Sequence, residues 1–131
     1  MSSKLTLTIK DFPTRGASVT FKITSAQIGQ KMIGATRVPK LTVTRKPDFY
    51  SHYFLLMAHL RRANSNHPLT NLPQLTVTFD RYDAAGKFLS GTTTDFFDAV
   101  VETAEPDGSD EKITFLADRK SGDFTISNVE V

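Results

Sequence analysis

The sequence predicts a mainly β fold: a two-sheet antiparallel β-barrel or sandwich with one short α-helix at about residues 50–63. Three observations support this class. Several segments alternate strictly between apolar and polar residues, which is typical of half-buried antiparallel strands. Residues that favour turns separate those segments, and one stretch has helical spacing instead. At 131 residues the chain is expected to form one domain, residues 1–131.

The alternation is clearest at the start of the chain, where Leu5, Leu7 and Ile9 fall on one face of a predicted strand. The same period recurs at residues 19–24, 41–44 and 75–80. Most of the polar positions are threonines, which favour strands on a face that remains in water. We therefore expect sheets with one apolar face on a core and one hydroxyl-rich face exposed to solvent.

The second half of the chain is predicted to form a meander, because turn residues punctuate it. Strands are expected at residues 87–94, 112–117 and 124–131, a segment buried on both faces at 95–101, and turns or solvated loops at 83–86, 104–110 and 118–123.

The helical segment spans residues 47–62. Asp48 or Ser51 can cap its first turn, and the cations at positions 61 and 62 complement the helix dipole in its last turn. The apolar stripe that we expect to be largely buried consists of Phe49, Tyr53, Leu56 and Leu60, with Tyr50, Phe54 and Met57 beside it.

Composition excludes several classes of protein. The chain has no Cys, so it has neither disulfides nor Cys-ligated zinc or iron–sulfur sites. No apolar run approaches the ~20 residues that span a bilayer, and the first residues alternate instead of forming a signal-peptide core. We therefore expect synthesis in the cytosol and no membrane insertion.

The charges are segregated along the chain. Residues 1–67 hold eleven Lys/Arg against two acidic residues, a balance of +9, whereas residues 68–131 hold five against twelve, a balance of −7. Such asymmetry can mark a nucleic-acid or membrane face. It can also make one surface of a subunit complementary to another surface of its neighbour. The third possibility is that the fold mixes the two halves in space.

No catalytic motif is present: the sequence lacks a glycine-rich phosphate loop, a Gly-x-Ser-x-Gly elbow and a His-Glu-x-x-His pair. His52 and His59 are too far apart on the predicted helix to chelate one ion, and His67 is in the following loop. Asp95 and Asp98 would point to opposite faces of a strand. The residues Asp107, Asp110 and Glu111 are interpreted as part of a solvated loop. We expect no catalytic, cofactor or metal site, and no enzyme.

The alternative function is a small β-barrel module that binds nucleic acid or a ligand. Such a barrel stacks bases on exposed strand aromatics among cations. Here the strand aromatics occupy the alternating apolar positions, which predicts that they face the core: Phe21, Phe79, Phe115 and Phe124.

An ordered series of motifs carries a family resemblance. It comprises a basic strand with a charged turn (Leu41–Asp48), a helix opening on Asp-x-x-Ser (Asp48–Ser51), a strand with an aromatic–basic end (Leu72–Tyr82), an Asp-Ala-Val-Val element (Asp98–Val101) and a Glu-x-Ile-x-Phe strand (Glu111–Phe115). In this order they resemble the haemolysin-coregulated protein family, the inner-tube proteins of type VI secretion systems, which share their fold with tail-tube proteins of contractile phages. The resemblance covers about 77 residues, Leu41–Ala117, and leaves residues 1–40 outside it.

The resemblance implies a tail-tube-like domain and a non-enzymatic subunit of a hollow inner tube. Copies would close into rings, expected to be hexameric, and the rings would stack. Sheath, baseplate or spike, and cargo proteins would be further partners, with no nucleic acid needed for assembly. The implied localisation is assembly in the cytoplasm, followed by export with the tube or incorporation into a virion tail. Secretion system, phage tail and other injection particles remain open.

Residues 26–38 fit neither the helical nor the strand period, and glycines interrupt them. We expect a loop or extended arm here that buries apolar residues against a neighbouring subunit, and the resemblance places the family's ring-stacking loop near it. The alternative is a loop folded over its own core. The candidate interface residues are Ile28, Met32, Ile33, Arg37 and Val38.

Overall fold

The computed structural model describes residues 2–12, 14, 16–63, 75–122 and 129–130. These form ten strands and one helix: β1 (Ser2–Lys10), β2 (Ser18–Lys22), β3 (Ser25–Ile33), β4 (Thr36–Arg45), α1 (Ser51–Ala63), β5 (Leu75–Tyr82), β6 (Phe88–Phe97), β7 (Val100–Asp107), β8 (Asp110–Leu116), β9 (Arg119–Gly122) and β10 (Val129–Glu130). The mainly β class with one helix is confirmed.

The strands build two five-stranded sheets in which every described pair is antiparallel. The first sheet has the order β2-β1-β5-β6-β9, and the second has the order β10-β3-β4-β8-β7. Two long pairings therefore join the halves of the chain, β1 with β5 in the first sheet and β4 with β8 in the second.

The chain passes from one sheet to the other at corners along both sides of the sandwich. On one side β2 leads into β3, where the Ile23 N–H donates to the Leu5 carbonyl (3.1 Å) and the Thr24 N–H donates to the Thr44 carbonyl (2.8 Å). On the other side β6 leads into β7, and β8 leads into β9. There the Asp118 N–H donates to the Phe97 carbonyl (2.9 Å), and Asp98 has a positive φ of 53°. These corners draw the two sheets together into a barrel-like sandwich.

The core lies between the sheets and is lined by the apolar positions of the alternating strands. Leu5, Leu7 and Ile9 are 0–1% exposed, whereas Thr6 and Thr8 between them are half-buried on the outer face. Phe21 and Phe115 are also buried, as predicted. The side chain of Phe79 and the whole of Phe124 lie outside the described part of the chain.

The helix buries only part of the predicted apolar stripe. Phe54 and Ala58 are 0% and 1% exposed, while Phe49, Leu56 and Leu60 are 69%, 54% and 54% exposed. The predicted buried stripe was therefore wrong at these three positions. The reason is a pair of rings, Phe12 from the β1–β2 connection and Phe21 from β2. Phe12 stacks on Phe54 with 5.2 Å between ring centroids, and Phe21 meets Phe54 edge-on at 5.5 Å.

Three predicted loops or turns contain strands, and one of them is the turn expected at residues 118–123, where β9 spans Arg119–Gly122 and pairs with β6. Residues 104–110 were expected to be a solvated loop, but β7 continues to Asp107 and β8 begins at Asp110, with Gly108 in the turn at a φ of +64°. Residues 26–38 lie in β3, β4 and the turn between them, because cross-strand pairing overrides the weak local pattern. Of the predicted last strand, only residues 129–130 are described, and they pair with β3.

Candidate assembly surfaces

The β3–β4 hairpin extends beyond the second sheet. Strand β4 pairs with β8 only from Lys40 onward, so the residues from Gln30 to Pro39 form strand pairs only with one another, although the Pro39 carbonyl also accepts a hydrogen bond from the Ala117 N–H (3.0 Å). Gly34, with a φ of 61°, occupies the turn at the tip. We call this segment, residues 30–39, the arm. Four paired rungs at ~3.3 Å per residue make it about 13 Å long.

The two faces of the arm have different environments. On one face Val38, 4% exposed, packs with Val100 and Leu116 of the same chain, and Ile33 packs against this cluster. Lys31, directly opposite Val38, forms an ion pair with Glu102. This face is thus held on its own subunit, and the burial of Val38 requires no neighbour.

The other face of the arm points away from the chain. Met32 and Arg37 are directly opposite each other in the hairpin; Met32 is 53% exposed and Arg37 is also exposed. Ile28 lies below the arm and is half-buried against the main core. Of the five candidate interface residues, Met32 and Arg37 are therefore the two that the structure leaves exposed.

A buried arginine joins the second sheet to the helix. Arg45, at the end of β4, is 2% exposed; its Nη1 pairs with the Glu111 carboxylate, and its Nη2 lies 2.5 Å from Asp48 Oδ2. Its guanidinium carbon is 4.7 Å from the centroid of the Phe21 ring. Sequence reasoning missed this residue, although it continues the inward-facing positions Leu41 and Val43.

The sequence offers Asp48 or Ser51 as the cap of α1, and in the structure both take part reciprocally. The Tyr50 N–H donates to Asp48 Oδ1 (2.8 Å), and the Asp48 N–H donates to Ser51 Oγ (2.9 Å). Partial burial of Asp48 disfavours its ionised form, but the hydrogen bonds from Arg45 and from the Tyr50 N–H, with the charge of Arg45, outweigh this cost. The pKa of Asp48 therefore lies below its ordinary value.

A loss of helix capping is expected for Asp48→Ala: about 1 kcal/mol of unfolding free energy at neutral pH. Because the folded-state pKa of Asp48 is lowered from 3.8, its contribution is present above that pH and is lost as the pH falls through the lower folded value. Urea titrations at pH 7 and pH 2.5 measure both. Asp48→Asn is the matched control, since it retains a capping oxygen; an equal loss for the two variants would contradict the cap.

A groove opens between the first turns of α1 and the β7–β8 hairpin, with a volume of about 450 Å³. No Lys or Arg is among the described residues that line it. These combine apolar side chains with carboxylates: Pro47, Ser51, His52, Leu55, Ala104, Glu105, Pro106, Gly108, Ser109, Asp110 and Glu111. Asp107 lies in the adjacent turn. Sequence reasoning missed this groove because β7 and β8 were separated there by a predicted loop.

The outer face of the first sheet carries rows of hydroxyl side chains. Thr20, Thr8 and Thr76 are in register across β2, β1 and β5, followed by Asp95 on β6. Thr8 Oγ1 lies 2.8 Å from Thr20 Oγ1, and the Thr76 hydroxyl donates to Asp95 Oδ1 at 2.6 Å. A second row contains Thr6, Thr78 and Thr93. The expected hydroxyl-rich face is therefore present.

The charge segregation of the sequence survives folding. Strands β1–β4 form one side of the sandwich and β5–β9 form the other. The two groups meet once in each sheet, between β1 and β5 in the first sheet and between β4 and β8 in the second. Exposed cations on the first side are Lys4, Lys10, Lys22, Lys31 and Arg37. Acidic residues on the second side, half-buried or exposed, are Asp80, Asp83, Asp95, Asp98, Glu102, Glu105, Asp107, Asp110 and Asp118. Lys87, Lys112, Arg119 and Lys120 interrupt this acidic side.

The described residues offer little to small ligands. They contain no group of three or more His, Asp or Glu that could hold a metal ion. His52 and His59 are exposed on α1, and His67 lies outside the described ranges. A cavity beside Phe54 in the core measures about 10 Å³, space for about one water. Within the described part of the chain, no helix is long and apolar enough to cross a membrane.

Comparisons with known proteins find structures with a similar fold but no match by sequence. No protein-family model and no curated protein matches this chain. Three solved structures are similar. Hcp1 of the E. coli EAEC 042 pathovar, in a doubly substituted form, has a TM-score of 0.66 and 14% sequence identity, with 97% of each chain covered. The secreted protein Hcp3 of Pseudomonas aeruginosa has a TM-score of 0.60 and 12% identity, with 98% of each chain covered. Hcp1 of Salmonella typhimurium has a TM-score of 0.55 and 12% identity, with 98% of this chain and 92% of that one covered. The likeness includes residues 1–40, which the sequence motifs did not reach. The chain therefore has the fold of the haemolysin-coregulated proteins, Hcp, over nearly its whole length.

Proposed function

We propose that this chain is a structural subunit of a hollow tube, built from rings that stack, in a type VI secretion system or a related contractile injection machine. It acts by self-association and catalyses no reaction. The observation that carries the proposal is the pair of oppositely charged sides on a domain with the Hcp fold.

Opposite charge on opposite sides favours one mode of assembly. When the basic side of one copy meets the acidic side of the next, the contact is heterologous, and a fixed rotation between copies closes it into a ring. The acidic partner in such a contact is β7, the edge strand of the second sheet, which carries Glu105 and Asp107. The β9 edge of the first sheet carries Arg119 and Lys120 instead. A hexamer is the ring size that the resemblance implies.

The hydroxyl rows suit the wall of a conduit. Threonine hydroxyls are neutral and hydrated, so a surface of them contacts passing cargo without strong attraction. We place such a face toward the lumen. Sheath, baseplate and cargo proteins would bind other surfaces, and export with the tube would follow assembly in the cytoplasm.

The buried aromatic residues favour this function over the nucleic-acid or ligand-binding module. Phe21 and Phe115 are 4% and 2% exposed, so neither can stack on a base. The core cavity of about 10 Å³ is far smaller than the ~300 Å³ of a typical small-molecule pocket, so the core itself offers no ligand site; the 450 Å³ groove beside α1 is a separate cleft.

We expect annular particles in negative-stain images of the purified protein, and a matching oligomer in sedimentation velocity at low salt. Because the lateral contacts join opposite charges, the oligomer should dissociate as the salt concentration rises toward ~1 M, where the Debye length falls to about 3 Å. Lys22→Glu should weaken ring formation at low salt, whereas Lys87→Glu, on the opposite side, should not. A strictly monomeric protein at high concentration contradicts the proposal.

A further inference from the structure

The outer face of α1 is exposed and largely apolar. Its exposed positions have the i, i+3, i+4, i+7 and i+8 spacing by which one helix packs on another: His52, Leu55, Leu56, His59 and Leu60. The three leucines are 54–59% exposed. The inner face is apolar as well, since Phe54 and Ala58 are buried in the core. Helices that are apolar on both faces are typical of buried positions, so we expect another helix to cover the leucines.

The groove gives one end of this face a negative charge. It adjoins the first turns of α1, and its described lining contains carboxylates and no Lys or Arg. Glu111 is already paired with Arg45, whereas Glu105 is exposed. Lys112, directly across from Glu105 in the β7–β8 pair, offsets only part of the acidic charge there. The helix that covers the leucines should therefore bring a cation to this end.

The opposite end of α1 supplies such a cation. Arg62 is in the last turn, seven residues after Leu55, so the two positions share one edge of the helix, and Leu55 lines the groove. When two helices pack antiparallel about a two-fold axis, like edges adjoin, and the first turns of one lie beside the last turn of the other. The α1 helix of a second copy therefore matches this face in both apolar spacing and charge.

We propose that the outer face of α1 binds α1 of a second copy in an antiparallel, two-fold pair, with Leu56 at the axis and Arg62 of one copy beside Glu105 of the other. The inference rests on the self-association proposed above, but it assigns a separate contact. This contact is isologous, whereas those that close and extend a tube are heterologous. Because each copy uses the same surface, the pair is closed and adds no third copy through α1.

Disulfide formation between single-cysteine proteins tests the pair, since the chain has no native Cys. Under mild oxidation Leu56→Cys alone should form a covalent dimer, and Leu60→Cys mixed with His52→Cys should form a heterodimer. Leu60→Cys alone should not, because an axis at position 56 separates the two copies of position 60 by about 12 Å along the helix, beyond the ~4.5 Å between the Cβ atoms of a disulfide. Leu89→Cys is the matched control, since Leu89 is 48% exposed at the start of β6.

An exchange of charges tests the part played by the groove. Arg62→Glu should slow disulfide formation by Leu56→Cys at least about tenfold, and adding Glu105→Arg should restore the rate.

Four outcomes would contradict one proposal or the other. Equal dimerisation through positions 56 and 89, or a Leu60→Cys homodimer, overturns the two-fold pair. A folded Leu56→Cys protein that stays monomeric under oxidation also overturns it and leaves this face to a different protein. Annular particles without these disulfides refute the pair alone, whereas disulfide-linked dimers of a protein that forms no rings refute the ring proposal alone.

Discussion

Replacing Arg45 by methionine is expected to lower the free energy of unfolding by about 3–5 kcal/mol. The guanidinium is 2% exposed and is the cationic partner of Glu111, which is itself 8% exposed. Without it, the largely buried Glu111 carboxylate would lose its cationic partner. The loss therefore reflects an uncompensated buried charge more than the strength of the original pair.

Urea unfolding of the variants measures this effect. Arg45→Met with Glu111→Met removes both charges, and the double variant is expected to recover most of the lost stability, because two apolar side chains of similar size need no partner. The Ser51 hydroxyl, which donates to Glu111 at 3.1 Å, can then turn to water. A double variant as unstable as Arg45→Met alone would show that the arginine acts by packing on Phe21 and Phe54 and not by compensating Glu111.

The second large effect is expected in the helix. Phe54→Ala should cost about 3–5 kcal/mol of unfolding free energy, because it opens a cavity among Phe12, Phe21 and Phe115 in a fully buried region. Leu56→Ala, two residues along the same helix, is the control. Since Leu56 is 54% exposed, its truncation should change the stability of the unassembled subunit by less than ~0.5 kcal/mol.

Both stabilities are measured by urea titration below the concentration at which the subunits associate. Comparable losses for Phe54→Ala and Leu56→Ala would mean that α1 packs through the stripe expected from the sequence. A loss at position 56 that grows with protein concentration would instead place Leu56 in a contact between copies, since association stabilises the folded subunit by mass action.

The strands were predictable because their signal is local. Strand β5, Leu75–Tyr82, contains the alternating segment 75–80, and Leu5, Leu7 and Ile9 are buried as their period requires. Alternation along one segment decides which face is apolar, whatever the rest of the fold does. The same rule places Arg45 inward, but sequence reasoning stopped at Val43 because an arginine is seldom fully buried.

The missed features depend on contacts between distant segments. The apolar residues of α1 lie around most of the helix, so the helix alone does not decide whether Phe54 or Leu56 is buried. Phe54 is buried because Phe12 and Phe21, from elsewhere in the chain, pack against it. The arm shows no clear period, since Val38 is covered by Val100 and Leu116 while Met32 is open. The exposed face of the arm and the groove both depend on pairing between strands, which the sequence of a single segment does not show.

The placement of arm and groove at opposite ends of β4 has a consequence for growth. If copies stack through unlike surfaces at opposite ends, as a heterologous contact requires, the stack is polar: one of the two surfaces stays free on its first ring and the other on its last ring. A nucleating protein therefore needs to imitate only one of these two surfaces, and a terminating protein only the other. The length of the assembled conduit then becomes a property that two dissimilar partners can regulate independently.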